Sequence, residues 1–209
     1  MGTDNLFWKK KNRSLKRKSR LRGRPPKSFL IVCEGQKTEP NYFNSFRLSS
    51  ATVKVIGAGD NTVNLVRKAL AIRDRARINE EIYDQVWCVF DRDGFTLENF
   101  CEAITFAVGQ GIKVAYSNEA FELWYLLHFH YYQTAMSRRQ YIEKLSQLLN
   151  HPYEKNHPSL YRELLNKQKE AIKNAQRLLN RYNPPNPGRD NPSTTVHQLV
   201  TELNKYCNR

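Results

Sequence analysis

The sequence lacks several features that would restrict its possible functions. No apolar run approaches the roughly 18 residues of a membrane-spanning helix, and the basic first residues contain no apolar stretch of the kind found in secretory leaders. The four cysteines include no CxxC pair, and Cys33 and Cys88 lie in apolar stretches, so we expect buried free thiols. His128 and His130 would diverge on a helix and have no nearby cysteine, which argues against zinc there. These absences favour a cytoplasmic protein with no membrane contact.

Acidic residues are scarce at the start of the chain. Residues 1–27 hold eleven of the 34 basic side chains and one of the 20 acidic ones, so they carry +10 of the net charge of +14, and the remaining 182 residues carry +4. We predict that 1–27 is a basic tail that is disordered alone and binds a polyanion, DNA or RNA, through its phosphates. A tail that only improves solubility is the alternative.

Apolar strands alternate with helices over 28–130. Four strands are predicted, at 29–33, 53–57, 85–90 and 112–116. Helices are predicted between them, at 38–46, 62–77 and 96–109, and a further helix after Ser117. This alternation predicts an α/β domain with a doubly wound parallel sheet of about four strands. From 131 to 209 the pattern is helical only, near 137–149, 158–181 and 193–206, which predicts a helical extension packed on the same domain.

Carboxylates follow two of the predicted strands. Glu34 follows the first strand, and Asp91 and Asp93 follow the third. The carboxyl ends of parallel strands meet at one edge of a sheet, where neighbouring strands lie about 5 Å apart, so the three carboxylates would share one patch. Oxygen ligands of this kind suit Mg²⁺, or Mn²⁺. Asp91 through Gly94 also fits an ordinary turn, but Glu34 at the end of an apolar strand favours the metal site.

These residues resemble a known family. The strand through Cys33 to Glu34-Gly35, and the strand that ends at Phe90-Asp91-Arg92-Asp93, resemble the TOPRIM domain of topoisomerases, DnaG-type primases and OLD-family nucleases. The run from Val32 to Phe43 more closely resembles the RloB-like proteins, as do two later segments, Ser117–Trp124 and Asn191–His197. Glu119-Ala120 departs from the expected proline followed by a small residue.

The resemblance implies a Mg²⁺-dependent TOPRIM site. Asp91 and Asp93 would hold the metal, and Glu34 would be a further ligand or the general acid/base. It implies a nuclease that hydrolyses DNA or RNA in bacterial anti-phage, abortive-infection defence, with an ATPase partner encoded nearby. The alternative is a non-catalytic nucleic-acid-binding regulatory subunit of a defence complex. A phosphatase of the haloacid-dehalogenase type is disfavoured, because Phe95 interrupts the DxDGTL-like motif.

Other polar residues are placed near the same edge by the predicted strands. Lys37 and Arg92 are candidates for binding substrate phosphates, although a solvated lysine and a structural ion pair are equally good interpretations. Asn118 is a further candidate substrate-binding residue, and Glu122 would extend the acidic cluster toward a second metal or pair with a base of the extension.

The segment Ser193-Thr194-Thr195 most simply caps the last predicted helix. Because the N-terminus of a helix also suits an anion, Ser193 and Thr194 are candidate phosphate-binding residues as well.

Overall fold

The computed structural model describes residues 26–59, 62–92, 95–157 and 159–207, and the structural statements below refer to these ranges. Asp93 therefore lies outside the described residues, as does the basic tail up to residue 25.

The described residues form an α/β fold around a five-stranded sheet. The strands are β1 (Lys27–Cys33), β2 (Ala51–Gly57), β3 (Gln85–Asp91), β4 (Lys113–Asn118) and β5 (Ser193–Thr194). Their order across the sheet is β2-β1-β3-β4-β5; the first four are parallel and β5 is antiparallel to β4. The prediction of an α/β fold with a largely parallel sheet is confirmed. The order also fits a doubly wound sheet.

Helices cover both faces of the sheet. They are α1 (Thr38–Asn44), α2 (Thr62–Ile78), α3 (Leu97–Gly109), α4 (Glu122–Leu126), α5 (Arg138–Leu149), α6 (Leu160–Leu165), α7 (Gln168–Leu179) and α8 (Val196–Asn204). Side chains alternate along a strand, so Leu30 and Val32 of β1 face α2 and α3, whereas Phe29, Ile31 and Cys33 pack with the other helices. Both faces of β1 are therefore buried, which explains its continuous apolar sequence.

The C-terminal part of the chain differs from the prediction in two places. Ser193 and Thr194 form a strand, not the start of the last helix, because they pair with Asn118 and Ser117 and so add a two-residue antiparallel strand beside β4. The helix predicted over 158–181 is two helices, α6 and α7, and the hydrogen bond from the Lys167 N–H to the Leu164 carbonyl forms a tighter turn between them.

The helices after residue 131 share a core with the sheet. Side chains of α5 to α8 lie in the same buried cluster as Phe29 of β1 and Trp87 of β3. The division of the chain at residue 130 stays a prediction. The four cysteines are free, with Cys33 and Cys88 buried as expected. Over the described ranges, none of the helices combines the length and the apolar character of a membrane span.

Candidate acidic active site

Glu34 and Asp91 lie at the point where the order of the strands across the sheet reverses direction. From β1 the chain crosses to β2 on one side and later returns to β3 on the other side of β1. In open α/β sheets this switch point forms a crevice beyond the carboxyl ends of the two central strands. Cys33 pairs with Val89, so Glu34 and Asp91 reach this crevice together, and Glu34 Oε2 accepts a hydrogen bond from the Asp91 N–H at 3.2 Å.

Asp91 is buried, and one of its carboxylate oxygens accepts no hydrogen bond from the described residues. Asp91 is only 5% exposed. Oδ2 accepts a hydrogen bond from Arg138 Nη2 at 2.9 Å, whereas the buried Oδ1 accepts none from the described residues. A buried carboxylate oxygen without a donor is costly, so the site is built for a positively charged or hydrogen-bonding group at this position.

Two more buried carboxylates surround Asp91. Glu122 of α4 accepts a hydrogen bond from the Tyr153 hydroxyl at 3.2 Å, and its Oε2 lies 3.8 Å from Arg138 Nε. Glu39, in the first turn of α1, lies against the backbone of Gly35. A Cβ atom at Gly35 would stand 2.2 Å from Glu39 Oε2, so the glycine is needed for the carboxylate to come this close.

Burial and like charge raise the pKa of two of these groups. The pKa of Asp91 is well above its usual value, chiefly because the group is buried and also because Glu39, Glu122 and Glu34 are close, while Arg138 opposes the shift. The pKa of Glu39 is also raised, chiefly because the group is buried, although a hydrogen bond from its own amide lowers it. Concentrating carboxylates in this way disfavours full ionisation without a compensating cation.

The carboxylates open into a pocket of about 530 Å³. Its lining combines acidic, basic and apolar side chains: Glu34, Gly35, Gln36, Lys37, Thr38, Glu39, Gly59, Asp91, Phe95, Phe121, Glu122, Arg138 and Lys155. Lys37 and Lys155 are exposed at the surface, whereas Asp91 and Glu122 lie beneath. The pocket thus has a buried acidic floor and an exposed basic entrance.

The structure brings some of the predicted site residues together. Glu34, Lys37, Asp91 and Glu122 all line the pocket, and Asp93 lies outside the described residues.

The other predicted residues are not among those that line this pocket. Arg92 is half-buried, and Asn118 is buried with its Nδ2 donating to the Pro187 carbonyl at 3.2 Å. Ser193 and Thr194 are fully buried in β5, where Ser193 Oγ donates to the Asp190 carbonyl at 2.6 Å and Thr194 Oγ1 lies 3.1 Å from Ser117 Oγ.

The polar residues in or beside the pocket that were not predicted from the sequence include Glu39, Arg138 and Lys155, which line it, and Tyr153, which donates to Glu122. Glu39 had a usable signal, since an acidic residue in the first turn of a helix that follows Glu34-Gly35 must lie near the same edge. Arg138 begins α5 directly after the capping-box residue Ser137, but nothing local indicates that it pairs with Asp91. Tyr153 and Lys155 come from the connection between α5 and α6, which has no periodic pattern.

The residues present fit a hard divalent cation. The donors are carboxylate oxygens, which Mg²⁺ and Mn²⁺ prefer, and Asp91 Oδ1 is buried without a donor among the described residues. Arg138 occupies the other oxygen of Asp91, so a cation and this guanidinium would compensate the same cluster of charge.

Comparisons with known proteins identify one family. The family described as RloB-like protein matches residues 29–203, which is most of the chain and includes every strand and helix that lines the pocket. Neither the curated proteins nor the solved structures give a match.

Proposed function

This chain belongs to the RloB-like protein family, and on that premise we propose that it is a Mg²⁺-dependent nuclease that hydrolyses phosphodiester bonds of DNA or RNA through a TOPRIM-like site. The proposal includes a role in bacterial anti-phage defence with an ATPase partner, which is what the resemblance to these proteins implies.

One observation carries the proposal. Asp91 is buried at the carboxyl end of β3, at the switch point beside Glu34, with Glu39 and Glu122 close and with Oδ1 accepting no hydrogen bond from the described residues. A purely structural ion pair would need only one carboxylate for Arg138. The excess of buried negative charge favours a site that takes up a divalent cation.

In the proposed site each residue has a defined task. Asp91, together with Asp93, would hold the cation, and Glu122 would extend the acidic floor. When bound, Mg²⁺ would lower the pKa of a coordinated water and stabilise the charge that develops on the scissile phosphate. Glu34, which is half-buried at the pocket wall, would be either a further ligand or the general acid/base. Lys37 and Lys155 at the entrance would attract the phosphates of the strand to be cut.

The direct test is a cleavage assay on the purified full chain. Single- and double-stranded DNA and RNA are incubated with Mg²⁺, with Mn²⁺ and with EDTA, and the products are resolved by length. Cleavage with either metal and none in EDTA is the expected result. Absence of cleavage with every substrate, with and without the ATPase, would leave the regulatory-subunit alternative as the better interpretation.

The basic tail provides a separate prediction about the partner. Deleting residues 1–25 removes ten basic side chains and leaves β1 intact, including Lys27, which pairs with Asp84. We expect nucleic-acid affinity at low salt to fall by at least about tenfold, and the slope of log affinity against log salt to become shallower by several units. Fluorescence anisotropy over a salt series measures both. An unchanged slope would favour a tail that only improves solubility.

Arg138 provides a second prediction, which concerns stability and metal binding together. In Arg138→Met, Asp91 and Glu122 lose the cation that now lies between them. Because both carboxylates are buried while the arginine is partly exposed, we expect the free energy of unfolding in EDTA to fall by about 1–3 kcal/mol. Mg²⁺ should recover part of this loss, so it should stabilise the variant more than the wild type.

The neighbouring residue supplies a matched control for that experiment. Arg139 is exposed and pairs with Glu143 one turn along α5, so Arg139→Met should leave both the stability and its Mg²⁺ dependence close to those of the wild type. Urea unfolding of the three proteins with EDTA and with Mg²⁺ gives the comparison. Equal responses of the two variants to Mg²⁺ would contradict the assignment of the cation site to the cluster around Asp91.

A further inference from the structure

A second group of potential metal ligands lies outside the acidic pocket. His151 follows the end of α5, His157 lies in the connection to α6, and Glu163 lies on α6. One ligand atom of each lies within 4.8 Å of those of the other two. His151 Nε2 is 3.2 Å from Glu163 Oε2, and His157 Nδ1 is 3.7 Å from Glu163 Oε1. The two imidazole rings stack with centroids 4.8 Å apart.

These distances approach those of a tetrahedral zinc site. Zn–N and Zn–O distances of about 2.0–2.1 Å place neighbouring ligand atoms of a tetrahedron roughly 3.3 Å apart. Both histidine–glutamate distances are close to this value. The three side chains are about one-third exposed, so they can rotate to bring the two ring nitrogens closer.

The surroundings of His151 orient it as a ligand. Its Nδ1 lies 3.0 Å from the Pro152 carbonyl oxygen, which can only accept, so Nδ1 carries a proton and donates. This hydrogen bond directs Nε2 toward Glu163, and a backbone carbonyl in this role is the usual outer partner of a metal-binding histidine. Ser159 Oγ donates to Glu163 Oε1, so His157 Nδ1, 3.0 Å from the same Oγ, donates to it in the metal-free state and would lose that proton on binding a metal. Ser159 thus holds the other two ligands together.

We propose that His151, His157 and Glu163 form a binding site for Zn²⁺ that joins the ends of α5 and α6, with three protein ligands and one open position. Two imidazoles and a carboxylate suit Zn²⁺ and exclude Mg²⁺, which avoids nitrogen ligands. In the metal-free state, His151 and Glu163 form an ion pair at the place where the metal would lie. The ligand spacing is five residues between His151 and His157 and five between His157 and Glu163.

The site would control the segment that contributes to the acidic pocket. Tyr153, which donates to Glu122, and Lys155, which lines the pocket, both lie between the two histidines. A metal that fixes His151 to His157 and Glu163 therefore restrains the chain on both sides of these residues. The binding of Zn²⁺ at this site does not depend on the proposed nuclease activity.

Calorimetric titration of the tag-free, chelator-treated full chain with Zn²⁺ tests the proposal. We expect one Zn²⁺ per chain at this site, and a loss of affinity of more than about 100-fold in His157→Ala and in Glu163→Gln, which is larger than the effect of losing an outer partner. Co²⁺ substitution should give the visible absorption of a tetrahedral site in the wild type and not in either variant. Hydrogen exchange of residues 150–159 should slow with Zn²⁺ in the wild type only.

Two control variants separate this site from other metal binding. His130→Ala removes an exposed histidine elsewhere, and Asp91→Asn alters the acidic pocket, so both should bind Zn²⁺ as the wild type does. Because the ligands are partly exposed, the variants should fold, which circular dichroism checks. Failure of the wild type to bind one Zn²⁺, or wild-type affinity in both His157→Ala and Glu163→Gln, would overturn the proposal.

Discussion

Asp91→Asn is expected to reduce metal-dependent cleavage by at least about 100-fold while the chain stays folded. The substitution keeps the shape of the side chain but removes the buried negative charge at the switch point between β1 and β3. Arg138 can still pair with the amide oxygen of the asparagine and with Glu122, and the repulsion between the Asp91 carboxylate and its acidic neighbours is removed, so we expect little loss of stability. The measurement is the rate of cleavage of a labelled substrate over a series of Mg²⁺ concentrations.

The control is another substitution of aspartate by asparagine, at the residue that precedes the amino end of β3. Asp84 directly precedes β3 and accepts hydrogen bonds from Lys27 Nζ on Oδ1 and from the Ser28 N–H on Oδ2. An asparagine can keep only one of these bonds, but the change lies at the opposite end of β3 from Asp91 and the acidic pocket. Asp84→Asn should therefore cleave at the wild-type rate. If Asp91→Asn cleaves as fast as the wild type, or if cells that carry it keep full phage protection, the acidic pocket is not the catalytic site and the regulatory alternative gains support.

Strand β1 illustrates which parts of the fold are predictable from the sequence. Its apolar run is typical of a strand with helices on both faces, and β3 repeats the pattern, so the parallel α/β architecture follows from local sequence. Strand β5 is the opposite case. Two polar residues have no strand signal of their own, and they become a strand only because the exposed edge of β4 pairs with them.

The same distinction applies to the site. The proximity of Glu34 and Asp91 could be predicted from the sequence, because the carboxyl ends of parallel strands meet at one edge of a sheet. The structure places β1 beside β3. The position of Arg138 could not be predicted in this way, since it lies 47 residues from Asp91 on a helix whose orientation depends on packing across the whole core. The positive charge that compensates the acidic pocket therefore depends on tertiary structure, whereas the acidic pair depends on topology.

Trp124→Ala should lower the free energy of unfolding by about 3–5 kcal/mol, the usual cost of deleting a fully buried aromatic side chain. Trp124 on α4 is 0% exposed and packs edge-on against Tyr42 of α1 and against His128, at centroid distances of 6.3 and 4.9 Å. It therefore fills the space between the helices that carry Glu39 and Glu122 and the rest of the core. Urea unfolding followed by circular dichroism measures the change as a shift of the midpoint.

An exposed apolar residue provides the control for this substitution. Ile78 at the end of α2 is 82% exposed, so Ile78→Ala should change the free energy of unfolding by no more than about 0.5 kcal/mol. A loss below about 1 kcal/mol in Trp124→Ala would mean that Trp124 is not packed in the core against Tyr42 and His128 as described. Trp124 is not among the residues that line the acidic pocket. At temperatures where the variant is folded, Glu34 and Asp91 keep their places at the ends of β1 and β3, so cleavage should persist although Trp124 packs beside the helix that carries Glu122.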